Sequence, residues 1–247
     1  MIYSTKIQRI LILIMLKFLL ASMACAANIK LHSITPLAAF NMAFDLKENQ
    51  QLNSVNGAGA GATIRFSLGQ KWNFLFTSGY FNLKVNQNNP IDYWNWEFWN
   101  RFYGNYIRDL QRDSNYVAQL SYRQHLHLIP FIVQLEFSQP IGERFTVQAA
   151  FGGGIFYFKR VLTVHEKWTK YFPEKDYRFT YAFDNHANPH SGTIPACNLA
   201  LQTNYRLRAN LNLNAGVQWG YFFKTGTKQF FPFRQLVQFQ LGFQFLH

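Results

Sequence analysis

Residues 234–247 read R-Q-L-V-Q-F-Q-L-G-F-Q-F-L-H. Val237, Phe239, Leu241, Phe243 and Phe245 share one parity, and Gln238, Gln240, Gly242 and Gln244 share the other. Successive side chains of a strand point to opposite faces, so this is a strand with one apolar face and one amide face. The same period recurs upstream. Leu211, Leu213, Ala215, Val217, Trp219 and Tyr221 alternate with Asn210, Asn212, Asn214, Gly216, Gln218 and Gly220. Cys197, Leu199, Leu201, Thr203 and Tyr205 alternate with Asn198, Ala200, Gln202, Asn204 and Arg206. Phe145, Val147, Ala149 and Phe151 alternate with Thr146, Gln148, Ala150 and Gly152. A helix would scatter each of these sets around its circumference.

Another strand is expected over 119–137. Its later half sets Phe131, Val133, Leu135 and Phe137 against Gln134 and Glu136, whereas Leu126 and Leu128 put the apolar residues of the earlier half on the other parity. That change of frame predicts a bulge at Ile129-Pro130, where proline has no N–H for a ladder. Further strands are expected over 35–45, 59–68 and 72–85. The total is eight. The connections 69–71, 138–143 and 207–209 are short, and 46–56, 86–118, 160–192 and 224–232 are longer. This interleaving predicts an all-β fold: an eight-stranded antiparallel up-and-down transmembrane β-barrel with both termini on the short-turn, periplasmic side. A soluble barrel of the lipocalin type would turn its apolar face inward instead.

The N-terminus bears on that choice. Lys6 and Arg9 precede an apolar stretch from Ile10 to Leu20, and Ala24-Cys25-Ala26 follows as a small-x-small site. This is the layout of an export signal over 1–26, leaving 27–247 as the barrel. The apolar stretch is short of the roughly 20 residues of a spanning helix. Acylation at Cys25 would make a lipoprotein, but the residues before it, Ser22-Met23-Ala24, lack the usual Leu. Phe accounts for 26 of 247 residues and charged residues for only 15%, while mean hydropathy is slightly negative. Alternating strands average to such a value, because lipid-facing and lumen-facing residues cancel. Without 1–26, 21 basic residues stand against 12 acids, a formal +9. That excess suits anionic lipid head groups, and nucleic acid is not an expected partner in this compartment. Only Cys197 remains beyond residue 26, so no intrachain disulfide can form there.

Three short motifs then carry a resemblance. His127-Leu-Ile-Pro130, Pro140-Ile-Gly-Glu-Arg144 and Ala150-Phe-Gly-Gly-Gly154 resemble the central hairpin of the small outer-membrane barrels, the OmpW-like and OmpA/OmpX-like eight-stranded families. The C-terminus is similar to their assembly signal at Gly242, Phe243 and Phe245 and departs from it at His247, where an aromatic is usual. The resemblance implies the fold, location in the cell outer membrane, and recognition by the barrel-assembly machinery through the last strand. It does not transfer a function.

Candidate chemistry is sparse. Glu136, Arg65 and Arg206 fall on the polar parity near the short-turn ends of their strands, and a lumen charge cluster is expected from them. Arg123, His125 and His127 share a parity and are expected to line the lumen. The two imidazoles could share a metal, but no Cys or acid lies near them in sequence, and no metal or cofactor is expected. Trp94, Trp96, Trp99, Arg101 and Arg108 lie in 86–118, where interleaved aromatics and arginines suit contact with a carbohydrate or lipopolysaccharide head group. The plainer reading is an aromatic girdle with a self-packed loop. Trp94, Trp96 and Phe98 share a parity, as in a strand rising above the membrane. His190-Ser191 resembles, at two residues, the lipid A deacylases, but neighbours on a strand face opposite ways. Gly152 to Gly154 lack the following Lys-Ser/Thr and helix of a phosphate loop. The expected function is a non-enzymatic structural, adhesive or small-solute barrel. The alternatives are a lipid A-modifying hydrolase and a narrow channel.

Overall fold

The computed structural model describes residues 30–46, 51–223 and 230–247. The expected export signal over 1–26 lies outside the described residues, as do parts of the 46–56 and 224–232 connections. The described residues form nine strands: β1 (Lys30–Leu46), β2 (Leu52–Ser67), β3 (Trp72–Gln87), β4 (Tyr116–Ile141), β5 (Phe145–Phe172), β6 (Tyr177–His186), β7 (His190–Arg208), β8 (Leu211–Phe222) and β9 (Phe233–Leu246). All their pairings are antiparallel. Eight strands form a ring in the order β1-β2-β3-β4-β5-β7-β8-β9, and β9 returns to β1. The expected eight-stranded up-and-down barrel is therefore the fold.

The stagger of the ring follows from its register. From Met42 the partners run through Asn56, Lys84 and His125 to Val161. In the other direction they run through Val237, Trp219 and Leu199 to Phe151. The two walks meet β5 ten residues apart, so eight strands tilt by about 40° to the barrel axis.

Outside the ring the apolar parity is exposed. Phe40, Phe131, Phe151, Leu199, Leu201, Phe239, Leu241, Phe243 and Phe245 all stand on the outer wall, while Gln238, Gln240 and Gln244 are buried in the lumen. The lumen itself is layered. Polar side chains fill the short-turn end. An apolar cluster of Leu37, Val55, Phe81, Leu83, Leu126, Leu128, Phe156, Phe158 and Phe222, among others, fills the middle. A second cluster, around Trp94, Trp99, Leu162, Val164 and Trp168, caps the loop end.

The expected bulge at Ile129-Pro130 is not formed. β4 pairs with β5 in one unbroken register from Tyr116↔Lys170 to Ile141↔Phe145. On the other side, the β3–β4 ladder omits Ile129 and Pro130 and resumes unshifted between Ser78↔Phe131 and Phe81↔Leu128. Proline thus sits where a ladder bond is missing rather than where the register slips. Leu126, Leu128, Ile132, Gln134 and Glu136 consequently share the inward face. The sequence mimics a change of frame because the lumen turns from polar to apolar half-way along the strand.

Two long connections also differ from expectation. Residues 160–192 are not a loop. β5 continues to Phe172, a single 3-10 turn follows at Pro173–Lys175, and β6 returns along β5 from Phe172↔Tyr177 to Thr163↔His186. Within 86–118, Trp94, Trp96 and Phe98 are not on a strand. The segment forms α1 (Pro90–Trp94), a π-helical turn (Trp99–Tyr103) and α2 (Gly104–Leu110), and these short helices lie over the barrel mouth.

Gly242 stands opposite Leu37 where the ring closes. A Cβ there would run into the Pro36 carbonyl oxygen and the Leu37 backbone. Overpacking of this kind costs about 1–3 kcal/mol. Gly242→Val should therefore lower the urea midpoint of the folded barrel, whereas Phe243→Leu, on the outer wall, should not. Equal midpoints for both variants would contradict a tight seam.

Candidate functional site

The polar end of the lumen is built around one ion pair. Arg65 Nε lies 3.2 Å from Glu136 Oε2, and both side chains are essentially inaccessible. The two residues come from β2 and β4 and meet across β3. Arg65 Nη1 donates to Thr35 Oγ1 at 2.7 Å, and Nη2 donates to Gln202 Oε1 at 2.7 Å. Glu136 Oε1 accepts from Asn73 Nδ2 at 2.9 Å and from Gln148 Nε2 at 3.1 Å. The network continues as Asn204 donates to Gln148 and Asn214 to Asn204, and separately Gln244 donates to Ser33. A buried charge is tolerable only when paired and hydrogen-bonded. Glu136 is held by side chains from β2, β3 and β5, so the pair ties distant parts of the wall together.

Arg206 is not part of this cluster. It lies where the β7–β8 register shifts beside the short turn, and it is exposed. Arg123, His125 and His127 are not in the lumen either. With no bulge, the odd residues of β4 face outward throughout. His125 Nδ1 bonds Asn82 Oδ1 at 3.0 Å and His127 Nδ1 bonds the Tyr80 hydroxyl at 2.5 Å, both partners lying on the outer face of β3.

The cap holds two buried charges that the sequence reading placed in a loop. Arg160 donates to Gln124 Oε1 at 2.7 Å, to Gln87 Oε1 at 2.7 Å and to the Phe230 carbonyl at 3.0 Å. Its guanidinium carbon lies 5.4 Å from the Trp94 ring centroid. Glu166 Oε2 accepts from Trp168 Nε1 at 2.9 Å and from the Tyr103 hydroxyl at 3.0 Å, and Asn185 Nδ2 bonds its other oxygen. The signal for both was present: Arg160, Leu162, Val164, Glu166 and Trp168 continue the period of two begun lower on β5.

Of the expected surface-contact residues, Trp94 and Trp99 are buried. They form the core of the cap, not its surface, because the helices fold their indoles down onto the barrel mouth. Trp94 Nε1 donates to the Asn188 carbonyl at 3.0 Å. Trp96 packs beside them, with its ring centroid 5.3 Å from that of Trp99. Arg101 is exposed and pairs with Glu97 at 2.9 Å, and Arg108, also exposed, bonds Asn105. His190 stacks on Phe230, with centroids 3.3 Å apart, and its Nε2 lies 3.2 Å from the Trp94 carbonyl. Ser191 is exposed on the opposite parity, so the adjacent His and Ser do not meet.

The closed ring, apolar outer wall and side-chain-filled lumen define an eight-stranded up-and-down β-barrel. Among solved structures the chain is similar to Neisserial surface protein A (NspA), at 11% identity over 89% of this chain and 99% of that one, with a TM-score of 0.48. It is similar to Ail, the attachment invasion locus protein of Yersinia pestis, solved in complex with the heparin analogue sucrose octasulfate, at 10% identity over 87% and 97% with a TM-score of 0.43. It is also similar to a major outer membrane protein of Thermus thermophilus, at 11% identity over 87% and 100% with a TM-score of 0.43. No family model and no curated protein matches the sequence.

The buried charges generate two predictions. Removing one partner of a buried ion pair strands the other, at about 3–5 kcal/mol. Glu136→Ala should destabilise the barrel by that order in urea unfolding, and restoring an uncharged lumen with Arg65→Met in the same chain should recover much of the loss. The Tyr103 hydroxyl is pushed up to about 12, first by burial and then by its bond to the Glu166 carboxylate. An unfolded phenol titrates near 10. The neutral phenol is thus favoured in the folded cap, and its contribution is intact below about pH 10 and lost as the pH rises towards about 12. An absorbance titration of Tyr103→Phe should lack the last phenolate step seen in the parent protein.

Proposed function

We propose that the protein is a non-enzymatic outer-membrane β-barrel, closed to solutes, that carries a rigid cap outside the cell. The observation that carries this reading is the disposition of faces: phenylalanine and leucine stand exposed on the outer wall, while Gln238, Gln240 and Gln244 are buried within. A soluble barrel has the reverse arrangement, and a belt of this composition is at rest only against acyl chains. The short turns then lie in the periplasm, with the start of β1 and the end of β9, and the cap lies outside. Residues 1–26 serve as the export signal, and β9 is the segment offered to the barrel-assembly machinery.

Display is favoured over conduction by the filling of the bore. Arg65, Leu83, Leu126, Leu128, Phe158 and Phe222 project into it at successive levels and are almost completely buried. An eight-stranded barrel is only wide enough for side chains to fill. Adhesive or surface contact is favoured by what the cap exposes, namely Phe98, Phe102, Tyr106, Phe179 and Tyr181. Their rings project from elements held by the buried Glu166 and Trp168, so the surface is preorganised.

Unheated protein from the outer-membrane fraction should migrate as a compact band that shifts on boiling, and it should give no discrete conductance in planar bilayers. A soluble, heat-insensitive product would overturn the membrane reading. Reproducible unitary conductance would overturn the closed bore.

A further inference from the structure

The apolar outer wall gives way to a polar strip on β3, β4 and β5. Lys84 lies opposite His125, Asn82 opposite His127, and His127 opposite Lys159. Arg123 lies opposite Thr163, and Thr163 opposite His186. All of these residues are on the outward parity, and Lys84, Arg123 and Lys159 are exposed. Directly below them on the same strands stand Tyr80, Phe131, Ile155 and Tyr157, exposed apolar and aromatic residues of the belt. The strip therefore begins where the belt ends, on the loop side.

We propose that this strip is a seat for the phosphate groups of a phosphorylated glycolipid in the outer leaflet. The proposal rests on the membrane reading above and adds a ligand chemistry to it. Strand residues directly opposite one another lie about 5 Å apart at Cβ, so Lys84 with His125 and Lys159 with His127 form two adjacent donor pairs. Arg123, two residues along β4 from His125, completes a cluster in which a phosphate can meet donors from three strands. Asp184, a carboxylate on the outward face nearby, bonds His165 at 2.6 Å and also acts electrostatically on Arg123 at the edge of the strip. The imidazoles of His125 and His127 each bond an uncharged partner on β3 through Nδ1, which leaves Nε2 outside those two bonds.

Position decides the source of the anion. Outward cations within hydrocarbon would be costly, and in bulk water they would be screened. At the head-group level, with stems along the wall and charges at its rim, they meet a fixed layer of anions. An acyl chain of the same molecule can then lie on the belt below, against Phe131 and Ile155. A free phosphate lacks that second contact and should bind far more weakly.

The test uses the full chain in detergent micelles, titrated with diphosphorylated lipid A and read by native mass spectrometry. Lys84→Gln, Arg123→Gln and Lys159→Gln combined should weaken binding on the order of tenfold to a hundredfold. An equal charge removal in the cap, Lys170→Gln with Lys175→Gln and Arg178→Gln, should leave binding unchanged. Dephosphorylated lipid A should not distinguish parent from strip variant, and excess inorganic phosphate should not displace the glycolipid. Should the triple variant fail to shift on boiling, each single variant is tested in its place, with about a threefold loss expected. Unchanged binding in folded strip variants overturns the proposal, as does equal loss in the cap variant, equal affinity for the dephosphorylated lipid, or displacement by inorganic phosphate. Parent protein that is soluble and heat-insensitive would instead remove the membrane reading on which the proposal stands.

Discussion

A strand in apolar surroundings has nowhere to put an unpaired amide or carbonyl, and the whole molecule follows from that constraint. β1 and β9 are more than 180 residues apart in sequence, yet each would be a bare edge without the other. Their pairing, from Ser33↔Leu246 to Leu46↔Phe233, removes both edges at once. Closure imposes the ten-residue stagger, and at the seam Gly242 lies so close to the Pro36 carbonyl oxygen and the Leu37 backbone that an added Cβ would force a shift. The belt of phenylalanine and leucine outside is the complement of this closure, because only a ring with satisfied backbone can face acyl chains.

Closure also creates an interior, and that interior cannot be left empty. At its polar end Arg65 and Glu136 sit at the centre, and glutamines and asparagines pass hydrogen bonds around the wall. Above it the bore changes to leucine and phenylalanine, and above that Arg160 and Glu166 anchor the cap. Each buried charge has donors or acceptors from several elements, so the layers lock the strands to one another and to the helices over the mouth. The cap is thus tied to the barrel wall through Arg160 and Glu166 and the cluster around Trp94 and Trp168.

How much of this was legible depended on where a residue stands relative to the apolar belt. Within the belt the rule of polar inside and apolar outside holds, and residues 197–206, 211–221 and 237–245 could be assigned face by face. The rule misled at Ile129-Pro130, because an apolar lumen layer mimics a change of parity. It misled again at Arg123, His125 and His127, because above the belt the outer wall is free to be polar. β6 and the upper half of β5 look like a loop in the sequence for a related reason: the inward parity from Arg160 to Trp168 still alternates, but it mixes charged with apolar residues and so lacks the apolar-polar contrast of the belt. The Arg65–Glu136 pair was visible because both lie low in strands of clear parity, whereas Arg206, one step too close to the turn, escapes into solvent.

The central claim is that odd positions of β9 face lipid and even positions face a closed bore. Single cysteines placed in turn at positions 238–241 and 243–245, in a background of Cys25→Ser and Cys197→Ser, can carry a fluorophore into vesicles of brominated lipid. Quenching should be strong at 239, 241, 243 and 245 and weak at 238, 240 and 244. Equal quenching at all seven, or strong quenching at the even positions, would contradict the account.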